Sequence, residues 1–256
     1  MKNIANQIVT WLKDYSNNSN QKGFVIGVSG GIDSAVTSTL CAETGLSTIV
    51  VSLPIKEKIG HDLSIEHIKF LCERYKNVTS IEIDLTETFE TFYKSVDHSS
   101  EVDNLSMANV RSRMRMISLY HVAQTNKMIV VGTGNKIEDF GIGFFTKYGD
   151  GGVDISPIAD LMKSEVYDLG KFFGVPQSII NAKPTDGLWT DGRCDEDQIG
   201  ATYDELEWAM NYLNGDKIKF SPSEERKETV LMIYRKMNSI NQHKMLPIPV
   251  CIVKRY

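Results

Sequence analysis

Along residues 3–15, Ile4, Ile8, Trp11, Leu12 and Tyr15 recur at spacings of four, three, one and three, the apolar stripe of an amphipathic helix. A polar stretch at 17–22 breaks the pattern. Residues 24–28 form a short apolar run that enters Ser29-Gly30-Gly31, after which 33–43 have helical composition and stop at Gly45. This predicts a strand, a glycine loop and a helix. A second buried-type strand is expected at 48–53 and a helix at 62–75, with Ile65, Ile68, Leu71, Cys72 and Tyr75 on one face. Next come a third strand at 78–83, helices at 86–94 and 105–124, and a fourth strand at 127–131 ending at Gly132-Thr133-Gly134. Helical patterns return at 161–173, 203–213 and 223–238, and 247–253 is an apolar run punctuated by prolines. Strands alternating with helices imply an α/β fold: a doubly wound, mostly parallel sheet with helices on both faces and helical additions. Its ligands belong at the carboxyl ends of the strands. The polar, glycine-rich segments 132–160 and 181–200 are too long for plain connections, which marks them as functional. With no repeat, low-complexity tract or clear linker, 1–256 is expected to be a single domain.

Composition narrows the field. The 256 residues carry 28 Lys and Arg against 33 Asp and Glu, a net charge of -5, with 41% hydrophobic residues. Such a chain can bury a core without disulfide or metal staples. Mild acidity argues against a nucleic-acid partner, because phosphate neutralisation favours basic patches. No apolar stretch approaches the ~20 residues of a membrane helix, and the first residues lead into no signal-type core, so no membrane and a cytoplasmic location are expected. Cys41, Cys72, Cys194 and Cys251 lie far apart with no C-x-x-C, which indicates neither a zinc site nor a disulfide framework.

The glycine loop carries the first chemistry. Following a buried strand and opening a helix, it sits where free backbone N–H groups and the helix dipole attract anions, and its glycines let those groups approach phosphate oxygens. Ser29 and Ser34 add hydroxyl donors. Asp33 is the odd residue: a carboxylate beside a phosphate cradle is repulsive unless a cation lies between, which argues for Mg²⁺. The alternative is a plain glycine turn with Asp33 as a helix-start residue. The loop lacks the lysine of a Walker motif and does not fit Gly-x-Gly-x-x-Gly.

The order Ser-Gly-Gly-x-Asp-Ser resembles the pyrophosphate-binding loop of the N-type ATP pyrophosphatases, which transfer AMP to a substrate and release pyrophosphate. Gly132-Thr133-Gly134-Asn135-Lys136-Ile137-Glu138, then Tyr148-Gly149-Asp150-Gly151-Gly152-Val153-Asp154-Ile155-Ser156-Pro157, then Leu161-Met162-Lys163 occur in that order. With Gly187-Leu188-Trp189 and Asp195-Glu196-Asp197, the whole chain resembles the short, ammonia-dependent NAD⁺ synthetases. The resemblance implies a C–N ligase that amidates deamido-NAD⁺ with ammonia through an adenylate, using ATP and Mg²⁺ and releasing AMP and pyrophosphate. It also implies a homodimer. Members that use glutamine carry an added amidase domain, for which these motifs leave no room.

The resemblance distributes roles residue by residue. ATP falls to Gly27, Val28, Ser29, Gly30, Gly31, Ile32, Asp33 and Ser34, with Thr133, Lys163 and Thr185; Asp33 and Lys163 are the catalytic pair. Glu138, after the fourth strand, is placed to give Mg²⁺ a second carboxylate beside Asp33; a polar loop with Glu138 starting a helix is the alternative. The stretch from Glu138 to Gly143 is one residue longer than the family's commonest spacing, which loosens the placement of the residues after it. Lys163 begins a helix, a poor position for a cation and one that needs an anionic partner, by resemblance ATP phosphate. Deamido-NAD⁺ falls to Arg113, Lys147, Asp154, His243 and Lys244. Helical geometry sets Arg113 roughly opposite Arg111 and Arg115, for which a solvated basic face is the plain reading. Without the resemblance, Lys147 and Asp154 read as an exposed ion pair. Asp150 and Asp154 are candidate bases for ammonia, between which the residues do not choose. Asp186 departs from the small residue usual after Thr185. The acidic run Asp191, Asp195, Glu196 and Asp197 fits no calcium loop and reads as a solvated lid. Met107, Met114 and Met116 read as core or subunit-contact packing. Two rivals remain, another adenylating or RNA-modifying pyrophosphatase and a nucleotide-binding regulatory module; the first lacks a catalytic cysteine pair and a basic surface here.

Overall fold

In the computed structural model, residues 1–56, 59–96, 103–185 and 194–254 are described. Four parallel strands, β1 (Gly23–Gly27), β2 (Ser47–Ser52), β3 (Val78–Glu82) and β4 (Ile129–Val130), form one sheet in the order β3-β2-β1-β4. Val25 of β1 stands in register with Ile49 on one side and Val130 on the other. A bridge between Val131 and Ile155 extends the sheet past β4. The central strand is buried on both faces, which explains its unbroken apolar run. Phe24 and Ile26 pack with Leu12, Leu40 and Leu169, whereas Val25 packs with Val51, Val122 and Phe89.

The helices are α1 (Lys2–Asn18), α2 (Ile32–Glu43), α3 (Ile59–Arg74), α4 (Thr86–Ser95), α5 (Asp103–Asn126), α6 (Lys163–Phe173), α7 (Gln177–Asn181), α8 (Asp195–Ile199), α9 (Tyr203–Asn214) and α10 (Glu224–Met245). The α/β expectation and the order of its main elements hold. From β1 the chain steps outward to β2 and β3, then returns to the opposite side of β1 as β4. The β1/β4 boundary is therefore the topological switch point, where such sheets bind ligands. A separate apolar cluster of Leu206, Trp208, Val230 and Tyr234 joins α9 and α10 to Ile137 and Ile142 beside that boundary.

Several features depart from the sequence expectation. Residues Ile137–Ile142 form a π-helix, where no such element was expected. One surplus residue in a helical turn is absorbed by widening the turn, and π-turns concentrate at functional sites. Helix α10 runs to Met245, seven residues beyond 238, because its later turns are polar and show no stripe. The apolar run at 247–253 has no regular structure and is exposed. Among the described residues no helix is long and apolar enough to cross a membrane.

Candidate active site

The glycine loop leaves β1 at Gly27 and enters α2 at Ile32. Gly30 takes φ +84°, and a Cβ there would lie 2.6 Å from the Gly60 carbonyl, so only glycine fits. The loop is braced internally. Ser34 Oγ donates to the Gly31 carbonyl at 2.9 Å and accepts from Ser29 N at 3.2 Å, and the Ser29 and Ser34 hydroxyls lie 3.1 Å apart. The Ser34 hydroxyl thus serves the loop itself.

Across the switch point, β4 leads into Thr133 and the wholly buried Asn135. Asn135 Nδ2 donates to Asp33 Oδ1 at 3.1 Å, while its Oδ1 accepts from Ile137 N and Glu138 N, each at 3.1 Å. One amide therefore ties the metal candidate of the first loop to the backbone that carries the second. The carboxylate of Asp139 packs against Gly134, where a Cβ would lie 2.1 Å from Oδ1. Burial first, then the charges of Glu138, Asp150 and Asp33, push the Asp139 carboxyl up to about 8.

Helix α6 delivers Lys163 into this space. Its side chain is 3% exposed, and Nζ donates to Asp33 Oδ2 at 2.5 Å and to Glu138 Oε1 at 3.0 Å. The ammonium that needed an anionic partner has two from the protein itself. Burial alone lowers the Lys163 affinity for its proton, but the Asp33 and Glu138 carboxylates outweigh it and hold the group above its ordinary range. Asp33 is pushed up by burial against the opposing pull of Lys163. The ammonium also lies 4.5 Å from the ring centre of Tyr203, whose hydroxyl is 2.5 Å from Glu138 Oε1 and 3.2 Å from Asp195 Oδ2. Burial, reinforced by the Glu138 and Asp195 charges, pushes that phenol far up, so it stays a donor.

Over its described part the acidic run is solvated only at Asp197, which is exposed; Glu196 is half-buried and Asp195 buried. Asp195 is buried beside Tyr203, Glu196 Oε1 accepts from Tyr203 N at 3.0 Å, and Asp197 accepts from Cys194 N at 3.1 Å. These carboxylates occupy the first turn of α8, where the helix dipole favours them. Asp191, Asp186 and Gly187-Leu188-Trp189 lie outside the described residues, and Thr185, exposed, stands at their edge.

A second group joins α5, the 144–150 loop and the end of α10. Arg113 Nε and Nη2 each donate to the Lys147 carbonyl at 3.3 Å, and Lys147 Nζ donates to the His243 carbonyl. Lys244 Nζ donates to the carbonyls of Gly143 at 2.9 Å and Phe145 at 2.8 Å. His243 is exposed, with Nδ1 3.0 Å from the Ile240 carbonyl. Lys147 and Asp154 do not form the ion pair that the bare sequence allowed. Asp154 accepts from Tyr120 Oη at 2.9 Å and Val130 N at 2.8 Å, which pins the segment after the glycine turn to β4. Asp150 Oδ1 accepts from Ser112 Oγ at 2.6 Å and Thr146 N at 3.0 Å. Arg113 is set apart from Arg111 and Arg115 as expected, but those two do not form a solvated basic face: both are half-buried, with Arg111 over the Phe89 ring at 4.4 Å and Arg115 donating to the Leu53 carbonyl at 3.1 Å. Met107 is core.

Asn135 and Tyr203 escaped the sequence reading. Asn135 had a signal, lying inside the Gly-Thr-Gly-Asn-Lys motif; Tyr203 had none beyond its place at the start of a helix.

A phosphate-type glycine loop at the switch point of a parallel sheet, facing a buried ammonium between two carboxylates, defines an α/β nucleotide-binding fold. The NAD synthase family model matches residues 4–247, and the chain belongs to that family. It is 38% identical over 257 residues to the NH₃-dependent NAD⁺ synthetase of Alkaliphilus oremlandii, spanning 97% of this chain and 96% of that one. With the enzyme of the same name from Saccharolobus solfataricus it shares 40% over 258 residues, 95% of this chain and 87% of the relative. The solved structure of an NMN synthetase from Francisella tularensis superposes with a TM-score of 0.84 at 33% identity, covering 100% and 98% of the two chains.

Proposed function

We propose that this protein amidates deamido-NAD⁺ with ammonia at the expense of ATP. The observation that carries the reading is the meeting of Asp33, Glu138 and Lys163 beside the glycine loop, in a chain of the NAD synthase family. The nicotinate carboxylate attacks the α-phosphorus of ATP and pyrophosphate leaves; ammonia then attacks the acyl carbon, AMP leaves, and the nitrogen loses its proton. Such chemistry needs oriented charge more than a protein nucleophile. Loop N–H groups from Ser29 to Ser34 and the Lys163 ammonium hold the departing pyrophosphate, with Thr133 and Thr185 on the same ligand. Arg113, Lys147, Asp154, His243 and Lys244 hold the dinucleotide, with Arg113 and Lys147 as its principal cations.

The donor set fits Mg²⁺. Asp33 and Glu138 both contact the Lys163 ammonium, so the two carboxylates lie close enough together for one ion beside it to draw on both. That suits an ion held by one or two carboxylates and completed by substrate oxygens rather than by a protein cage. Asp33 and Glu138 would hold Mg²⁺ beside Lys163, and the ion would offset the charge of the pyrophosphate.

We further infer a homodimer, supported by exposed Ile117 of α5 and exposed Ile248, Val250 and Ile252 of the tail. A cytoplasmic location accords with four free cysteines.

A second reading takes nicotinate mononucleotide as the acceptor, and the full-length likeness to an NMN synthetase favours it. The test is turnover with ATP, Mg²⁺ and ammonium against each acceptor in parallel. Higher kcat/KM for deamido-NAD⁺ supports the first reading; the reverse order installs the second. Ammonium-free glutamine should give no product.

A further inference from the structure

We propose that Ser64 and His67 of α3 are positioning residues that set the glycine loop for ATP, an inference that rests on the ATP-using reading above. The two lie three residues apart, on one face of the helix, and both are buried. Ser64 Oγ donates to the Val28 carbonyl at 2.7 Å, where β1 hands the chain to the loop. At the loop's other end, the Ser34 carbonyl takes a hydrogen bond from Ser38 Oγ at 2.7 Å. A carbonyl only accepts, so the Ser38 proton is committed there and its oxygen is free to accept. His67 Nε2 lies 3.0 Å from that oxygen and is therefore the donor. The resulting chain runs from His67 through Ser38 to Ser34.

Between these two anchors, α3 presses directly on the loop. A Cβ at Gly30 would meet Gly60 O at 2.6 Å, Leu63 Cβ at 2.8 Å and Ser64 N at 3.0 Å. Helix α3 therefore touches the loop directly at Val28 and Gly30 and reaches Ser34, in the first turn of α2, through Ser38. The imidazole is a costly way to fill this space, because His67 is wholly buried and its Nδ1 has no hydrogen-bond partner. An apolar side chain would pack here without that cost. What the imidazole adds is a directed donor. Backbone N–H groups stabilise a leaving pyrophosphate only if they are already aimed, so fixing the peptide planes at both ends of the loop acts on ATP. Among the described residues, no hydrogen bond or ion pair joins Ser64 or His67 to Arg113, Lys147 or His243.

The test measures binding of ATP with Mg²⁺, without acceptor, and binding of deamido-NAD⁺ by calorimetry, together with the KM and kcat of each. Ser64→Ala and His67→Phe should each weaken ATP by about three- to tenfold, the size of a lost buried hydrogen bond. The KM for ATP should rise and kcat fall, because the aimed N–H groups also act on the leaving pyrophosphate, while the KM for the acceptor holds. Ser64→Thr and His67→Gln, which keep a donor, should recover most of the loss. If a variant fails to fold, Ser38→Ala cuts the same chain in the middle and is read by the same criteria. Wild-type protein that binds no ATP overturns the functional reading and this one with it. Wild-type protein that binds ATP, with Ser64→Ala and His67→Phe binding as tightly or weakening both ligands equally, overturns the role of α3 alone.

Discussion

Lys163 opens α6, where the helix dipole disfavours a cation, and its position is held by the Asp33 and Glu138 carboxylates on either side. Removing a buried ammonium leaves two carboxylates facing each other, a loss of about 3–5 kcal/mol. Lys163→Ala should therefore melt well below wild type. Saturating Mg²⁺ should raise its Tm by more than it raises the wild type's, because the ion takes the vacated charge; equal shifts would dissociate these carboxylates from the metal. His67 makes a prediction about pH. Burial brings the folded imidazole down to about 4, opposed in part by the Ala35 backbone, from an ordinary 6.5. Between those values the unfolded chain binds the extra proton, so this contribution is whole above pH 6.5 and is lost as pH falls toward 4, by about 3 kcal/mol at most. Urea midpoints at pH 7 and pH 5 for wild type and His67→Phe check it: the wild type should lose stability more steeply over that interval.

At the level of elements, the site depends on how α2, α6 and α9 begin, because Asp33, Lys163 and Tyr203 lie in their first turns. Tyr203 is the first residue of α9, whose start is fixed by reciprocal bonds: Glu205 N donates to Thr202 Oγ1 at 3.2 Å, and Thr202 N donates to Glu205 Oε2 at 3.0 Å. Arg226 Nε then holds Glu205 Oε1 at 2.8 Å, tying α10 to the same cap. Thr202→Ala should cost about 1 kcal/mol of stability. It should also weaken ATP use, since Tyr203 leans on Glu138; an unchanged KM for ATP would confine the cap to stability. The strands and long helices were legible because burial imposes a period on sequence. The π-helix was not: its extra residue showed only as a spacing surplus, which says that a turn must widen but not where. Asn135 and Tyr203 act through hydrogen bonds across the fold, and no local pattern encodes those. The Asp195 carboxylate looked solvated because acidic runs usually are, and its burial follows from the packing of α8 against Tyr203.

In the whole molecule, the sheet order brings two loops together at one boundary and the helical addition packs beside it, and on the proposed reading the phosphate end of ATP and a substrate carboxylate would meet there. If the loop from Ser29 to Ser34 holds the β,γ-pyrophosphate as a leaving group, the α-phosphorus is open to the carboxylate, and the products must be AMP and pyrophosphate. Attack at the γ-phosphorus would instead give an acyl phosphate and ADP. Carboxylate oxygen labelled with ¹⁸O distinguishes the two. Adenylation moves one labelled oxygen into AMP, because the acyl–oxygen bond is the one ammonia breaks. An ATP-derived adenylate should also form without ammonium. Asp33→Asn keeps the shape of the side chain but removes a charge that faces Lys163 and would hold Mg²⁺, and should lower the rate of adenylate formation by two or more orders of magnitude, roughly the scale of a lost electrostatic contact in a transition state. Binding of deamido-NAD⁺, which we assign to Arg113 and its neighbours, should stay within about twofold of wild type, inside the spread of a site-distant substitution. ADP as product, or unlabelled AMP, would overturn the assignment of the loop; loss of dinucleotide binding in Asp33→Asn would merge the two groups of residues into one site.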